Sequence, residues 1–309
     1  MNKSEIEVQT PQASQSIQQH STTPHQEIEA YALKSTLSTA VIAGLGTFLY
    51  TINFSTIPIV GQFSLAGALI AICTLFPFIL FQIGYIHGLK VRFNLNSIHW
   101  RQRLYAFSLG IAYTIFFGGL ALLFIIFLDN AFKGLQLDTV TASAIAAVIT
   151  AITAYSVVQL AANIDSMAII HTLLIFLVAG ICSSMIFNNN PLWWQNNFSY
   201  LGGFESNTSL LFNFTLILSG VMLLALTDYL FHDLRSAIPG KTGQLPNFTI
   251  IRFFFVITAA CLALVGIFPY IDQSIFGTIH NLAASSLVLS FLVIILFVQL
   301  LLPGLSRTF

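Results

Sequence analysis

Charge is scarce in this chain. Of its 309 residues only 7% are Asp, Glu, Lys or Arg, whereas 56% are hydrophobic; an average soluble domain is about 25% charged. An ordinary water-soluble globule is therefore excluded, and several uncharged apolar runs longer than about 18 residues require lipid as solvent. Cysteine is also sparse. Cys73, Cys182 and Cys261 all fall inside apolar runs without CxxC spacing, which argues against a disulfide framework and a thiolate metal site. The motifs HExxH, GxSxG and GxGxxG are missing. The nearest approach to a phosphate loop, Gly240-Lys241-Thr242, has Arg235 where a glycine is required.

What is present is a series of apolar runs, each able to cross about 30 Å of hydrocarbon at about 1.5 Å per residue. They lie near 36–58, 63–87, 103–128, 139–162, 167–188, 210–231, 249–270 and 281–302. The expected fold is all-α, a polytopic bundle of eight transmembrane helices over residues 35–309, preceded by a disordered, polar, Gln-rich cytoplasmic tail over 1–34. Both termini are expected in the cytoplasm. With that orientation, ten of the eleven Lys and Arg residues fall on the cytoplasmic side and only Lys133 outside. Basic residues in short loops resist translocation, so this split supports the eight-span count and a multi-pass location in the cytoplasmic membrane.

Within the spans, Ser143, Ala147, Ala151 and Ala154 recur at helical spacing and predict a close-packed fourth helix inside the bundle. Pro77 removes a backbone hydrogen bond in the middle of the second span. The longest external connection, 188–209, carries three successive Asn and then Trp193 and Trp194. These indoles suit an interfacial anchor; the alternative is a loop folded over a pocket mouth.

From this loop onward the residues Trp193-Trp194, Asn197-Phe-Ser199-Tyr-Leu201-Gly202, Phe212-Asn213, Ser219-Gly220 and Gly266-Ile-Phe268-Pro269, followed by His280, form a recognisable series. The second half of the chain thus resembles the uncharacterised prokaryotic membrane family known as domain of unknown function 998. The resemblance implies a membrane location and directs attention to an outer-face group: Trp193, Trp194, Asn197, Ser199, Gly202, Pro269 and His280. It implies no assigned chemistry.

The middle of every span is free of charge, which argues against cation coupling, because an ion-coupled carrier keeps costly ionisable groups deep in the membrane. Near the cytoplasmic boundary, Asp228 and His232 are four residues apart and share a helix face. Arg252 and His171 lie at the same depth. This group reads either as an interfacial ion-pair and capping cluster or as a proton-relay or metal site short of ligands. The favoured partner of Asp228 is the Arg252 guanidinium, on a face turned toward the fifth or seventh helix. Asn213, Gly220 and Thr227 recur at intervals of seven, giving a small or polar stripe that suits helix packing or a substrate-lining wall.

The leading expectation is a permease or lipid-handling protein without cation coupling. The alternatives are an accessory or sensory subunit without substrate and, ranked below it, a membrane-embedded enzyme, since no complete acid, base and nucleophile set can be assembled from sequence. No metal and no cofactor are expected. Membrane lipids are the expected partners, nucleic acid is not, and small-residue helix faces offer a route to homo- or hetero-oligomers.

Overall fold

A computed structural model describes residues 23–93, 99–237, 247–271 and 273–301. Its helices are α1 (Pro24–Thr51), α2 (Leu65–Phe93), α3 (Trp100–Ala131), α4 (Thr139–Ala162), α5 (Ser166–Ile186), α6 (Ser209–Ala237), α7 (Asn247–Ile267) and α8 (Ile275–Leu301). All eight are long and apolar enough to cross a membrane. Two short strands, β1 (Ile57–Pro58) and β2 (Gln136–Leu137), pair antiparallel with Ile57 opposite Leu137.

The first helix corrects one expectation. Residues 1–22 lie outside the described residues, but Pro24–Lys34 belong to α1 and not to a disordered tail. Thr23 and Gln26 form a reciprocal capping box, and Pro24 occupies the first turn, where its missing N–H costs nothing. Ile28 and Ala32 are then buried, and Tyr31 stacks on His87 of α2 with ring centroids 4.1 Å apart. Other boundaries shift less. α1 stops at Thr51, α6 runs on to Ala237, and α8 starts at Ile275, so that His280 stands inside the helix.

Side-chain contacts fix an antiparallel arrangement. Arg92 at the end of α2 donates to the Ile164 carbonyl between α4 and α5, and Ser166 of α5 donates to Asp233 of α6. Arg101 of α3 and Arg252 of α7 both reach Asp228 of α6. These residues gather at one end of the bundle, the basic end. At the opposite, loop end, Thr139 of α4 donates to Thr51 and Phe54 carbonyls, and the β1–β2 clip ties the α1–α2 connection to the α3–α4 connection. Thr56 reinforces the clip through a 2.7 Å bond to Gln136. Asp138 caps α4, and the Thr141 hydroxyl and N–H hold its carboxyl below the usual range.

The helices form a row with α4 inserted between α1 and α2, α2 against α3, α3 against α6, and α5 and α7 on either side of α6, with α8 outside α7. In lipid, apolar burial between helices gains little over lipid contact, so association rests on close fit. α4 supplies that fit with Ala142, Ser143, Ala146, Ala154 and Ala161, all buried. At Gly88 of α2 a Cβ would collide with the Ala162 backbone, so only glycine permits that approach. Pro77 is buried within a continuous α2. Buried hydroxyls turn back onto their own helices, as Thr150 does to Ala146 and Thr227 to Leu223, each at 2.7 Å. This satisfies polar groups that lipid cannot.

Candidate functional site

At the loop end, residues 187–208 fold into a compact cap. Its neck is the Asn run: Asn188 donates to Ser206 at 2.8 Å, Asn207 side-chain oxygen accepts from the Asn189 N–H at 2.8 Å, and Asn207 donates to the Phe187 carbonyl at 2.9 Å. Two 3₁₀ turns follow, Trp193–Gln195 and Phe198–Gly202. Successive residues of such a turn point about 120° apart, from three residues per turn. Trp193 accordingly packs inward on Phe198 and the Leu201, Phe212 and Leu216 cluster, whereas Trp194 is exposed. Only the second indole is free to serve as an interfacial anchor.

The second turn is seated on α6. Asn213 donates to the Gly202 carbonyl at 2.9 Å, and a Cβ at Gly202 would strike Asn213 and Phe212. Asn197 precedes the turn, and its carbonyl accepts from the Tyr200 N–H. The turn presents Ser199 to His280, with Oγ and Nε2 2.9 Å apart. His280 Nδ1 lies 2.7 Å from the Phe268 carbonyl. A carbonyl can only accept, so Nδ1 carries the proton, and in the neutral imidazole Nε2 accepts from the Ser199 hydroxyl. Phe268 has a carbonyl to offer because α7 ends at Ile267 and Pro269 follows, which cannot continue the helix. His280 is buried, with the Tyr270 ring edge-on at 5.9 Å, while Ser199 is partly exposed. The structure thus brings Ser199, Gly202 and His280 together and places Pro269 beside them, with the two tryptophans on the flank.

At the basic end, Asp228 is held by three partners. Its carboxylate accepts from Tyr105 at 2.6 Å, Arg101 at 2.8 Å and Arg252 at 2.9 Å. The Arg101 guanidinium also lies over the Tyr105 ring, 5.9 Å from its centroid. The Arg252 pairing and the turn toward the seventh helix agree with the expectation, and α3 is a further partner that it did not include. The missed signal is Arg101 and Tyr105 four apart at the start of the third span, where one helix face presents a cation and a phenol together. A cavity of about 290 Å³ opens beside this cluster, lined by Tyr85, Gln102, Tyr105, Asp228, Tyr229 and His232. His171 is not part of it.

His171 instead lines a second, apolar cavity of about 460 Å³ between α3, α4 and α5, with Ile115, Phe116, Leu160 and Ile175. Nearby, Thr172 bonds the Tyr113 hydroxyl at 2.9 Å. A third cavity of about 590 Å³ lies next along α3 and α4, between Phe117, Leu120 and Phe124 on one wall and Val148, Ile149 and Ile152 on the other. Phe116 lines the second cavity and Phe117 the third, so the two adjoin end to end along a lateral groove with this edge-on pair of rings between them. From Ala144 to Leu160 the groove runs about 24 Å along α4, taking about 1.5 Å per residue, close to the roughly 30 Å of hydrocarbon.

The stripe on α6 is engaged in packing. Gly220 meets Ala259 and Ala263 of α7, Thr227 is fully buried, and Asn213 is committed to Gly202. None of the cavities above is lined by Asn213 or Thr227. Among the described residues no three His, Cys, Asp or Glu converge as a metal site. Compared with family models, with curated proteins and with solved structures, the chain matches none.

Proposed function

We propose that this is a lipid-handling protein of the cytoplasmic membrane, holding a long apolar chain in the groove between α3, α4 and α5 without ion coupling. In this reading the basic end and both termini face the cytoplasm, as the distribution of Lys and Arg favours. The observation that carries it is the groove itself, a slot of nearly membrane length lined by no Asp, Glu, Lys or Arg, whose polar groups are Thr153 midway and His171, Thr172 and Tyr113 toward the basic end. That pattern suits an amphiphile whose chain lies along α3 and α4 and whose polar head reaches the basic end. The absence of charge from the middle of the spans supports a route that does not move cations. Kinship of the second half with domain of unknown function 998 belongs to the same proposal.

The test is photo-crosslinking of the full chain in proteoliposomes with a phospholipid carrying a diazirine on its acyl chain. Adducts concentrate on Phe116, Phe124 and Ile152, and Ala144→Trp, which fills the slot, removes them. Equal labelling of Leu289 and Leu296, on the outer helix α8, would show only the general lipid coat and overturn the proposal.

A further inference from the structure

We infer that Ser199 and His280 are a nucleophile and general base for cleaving a carboxylic ester of an amphiphile at the loop-end membrane surface. This inference does not rest on the groove; it comes from the geometry of a different region. The hydroxyl and the imidazole meet at 2.9 Å, and the base is itself oriented at 2.7 Å by a backbone carbonyl. Nucleophile, base and orienter in that order are the arrangement by which a serine hydroxyl is activated. The Phe268 carbonyl performs the part a carboxylate plays elsewhere: it fixes the Nδ1–H tautomer and leaves Nε2 free to take a proton.

Three features of the setting agree with that role. His280 is buried on α8, so its ring is held, whereas Ser199 sits on the rim and remains partly exposed. The turn bearing Ser199 is seated on α6 through the Asn213 bond to Gly202, which leaves the hydroxyl little freedom to drift from the imidazole. Around it, Trp194, Phe198, Phe204, Leu210 and Ile275 are exposed apolar side chains, a surface suited to the headgroup layer. An ester that reaches Ser199 there is one already resident in the membrane surface, such as an acyl lipid.

The reaction balances with water alone. Ser199 Oγ adds to the ester carbonyl carbon as its proton passes to His280 Nε2. The bond from that carbon to the alcohol oxygen then breaks, and the proton leaves with the alcohol. Water attacks the acyl-serine, giving a proton to Nε2; the carbon–Oγ bond breaks, and the proton returns to Ser199. One ester and one water become one carboxylic acid and one alcohol.

The experiment treats the folded full chain in proteoliposomes with a long-chain alkyl fluorophosphonate and follows the adduct by peptide mass. Labelling falls on Ser199, vanishes in Ser199→Ala and slows about 10²-fold or more in His280→Gln, the usual share of a general base. The same preparation hydrolyses a long-chain p-nitrophenyl ester faster than p-nitrophenyl acetate. If His280→Gln does not fold, His280→Asn reads the same loss. A folded wild-type protein with no adduct on Ser199, or a folded His280 variant that labels at the wild-type rate, makes the pair a structural lock and overturns the inference.

Discussion

At its last turns α6 sets Asp228 between two arginines and a tyrosine, whereas near its first turn it seats a loop whose polar centre is a hydroxyl and an imidazole, Ser199 with His280. The two ends solve one problem differently. Where basic residues collect, a carboxylate is neutralised by cations from α3 and α7, and the bonds draw together helices from both halves of the chain. At the loop end the His280 imidazole does the joining through its two ring nitrogens, linking α8 to the end of α7 and to the cap. The lesson is that charged side chains join the helices at the basic end, whereas at the loop end one imidazole with its orientation fixed by a carbonyl joins them.

The comparison can be broken or sharpened in three ways. The largest effect concerns which end faces which compartment. In a background with the three native cysteines replaced, an impermeant thiol reagent added to intact cells should label Asn196→Cys and leave Arg103→Cys unlabelled until the membrane is opened; the reverse result inverts the proposed orientation. Next, Asp228→Ala removes the shared acceptor and leaves Arg101 and Arg252 facing one another. It should cost about 2 kcal/mol in detergent unfolding, between an exposed ion pair and a buried one, because the two arginines are about two-fifths exposed. A loss nearer 0–1 kcal/mol, roughly that of an exposed ion pair, would deny the basic end its cohesive role. The smallest effect is expected for Ser199→Ala, about 1 kcal/mol for one neutral hydrogen bond. A loss as great as that of Asp228→Ala would mean that the loop end is built for cohesion too.

Much of the fold was legible because hydrocarbon thickness imposes its own ruler on the sequence: eight uncharged runs gave eight helices. Boundaries were less so, since helices continue past the lipid wherever capping and packing allow. The capping box of Thr23 with Gln26 was available in the sequence, but polar composition around it outweighed the signal. For the sites, residues of one region were easier than residues of two. Asp228 and Arg252 border the same connection, and Ser199 and His280 both lie in the second half of the chain. Arg101 and Tyr105 come from the other half of the chain, and no periodicity announces that α3 will lie against α6. The groove was illegible for a related reason: it exists because α4 turns to α1 and α2, leaving α3 beside it without filling the space between.

The β1–β2 clip gives that groove a mechanical character. Its two walls, α3 and α4, are the arms of one hairpin, and their short connection is strapped to the α1–α2 connection by strand pairing, by Thr56 with Gln136 and by Thr139 on the end of α1. Both arms also lie against α2, which floors the slot between them. The tip of α3 carries Arg101 and Tyr105, fastened to Asp228. One wall of the slot is therefore pinned at both ends, by the clip at the loop end and by Asp228 at the basic end.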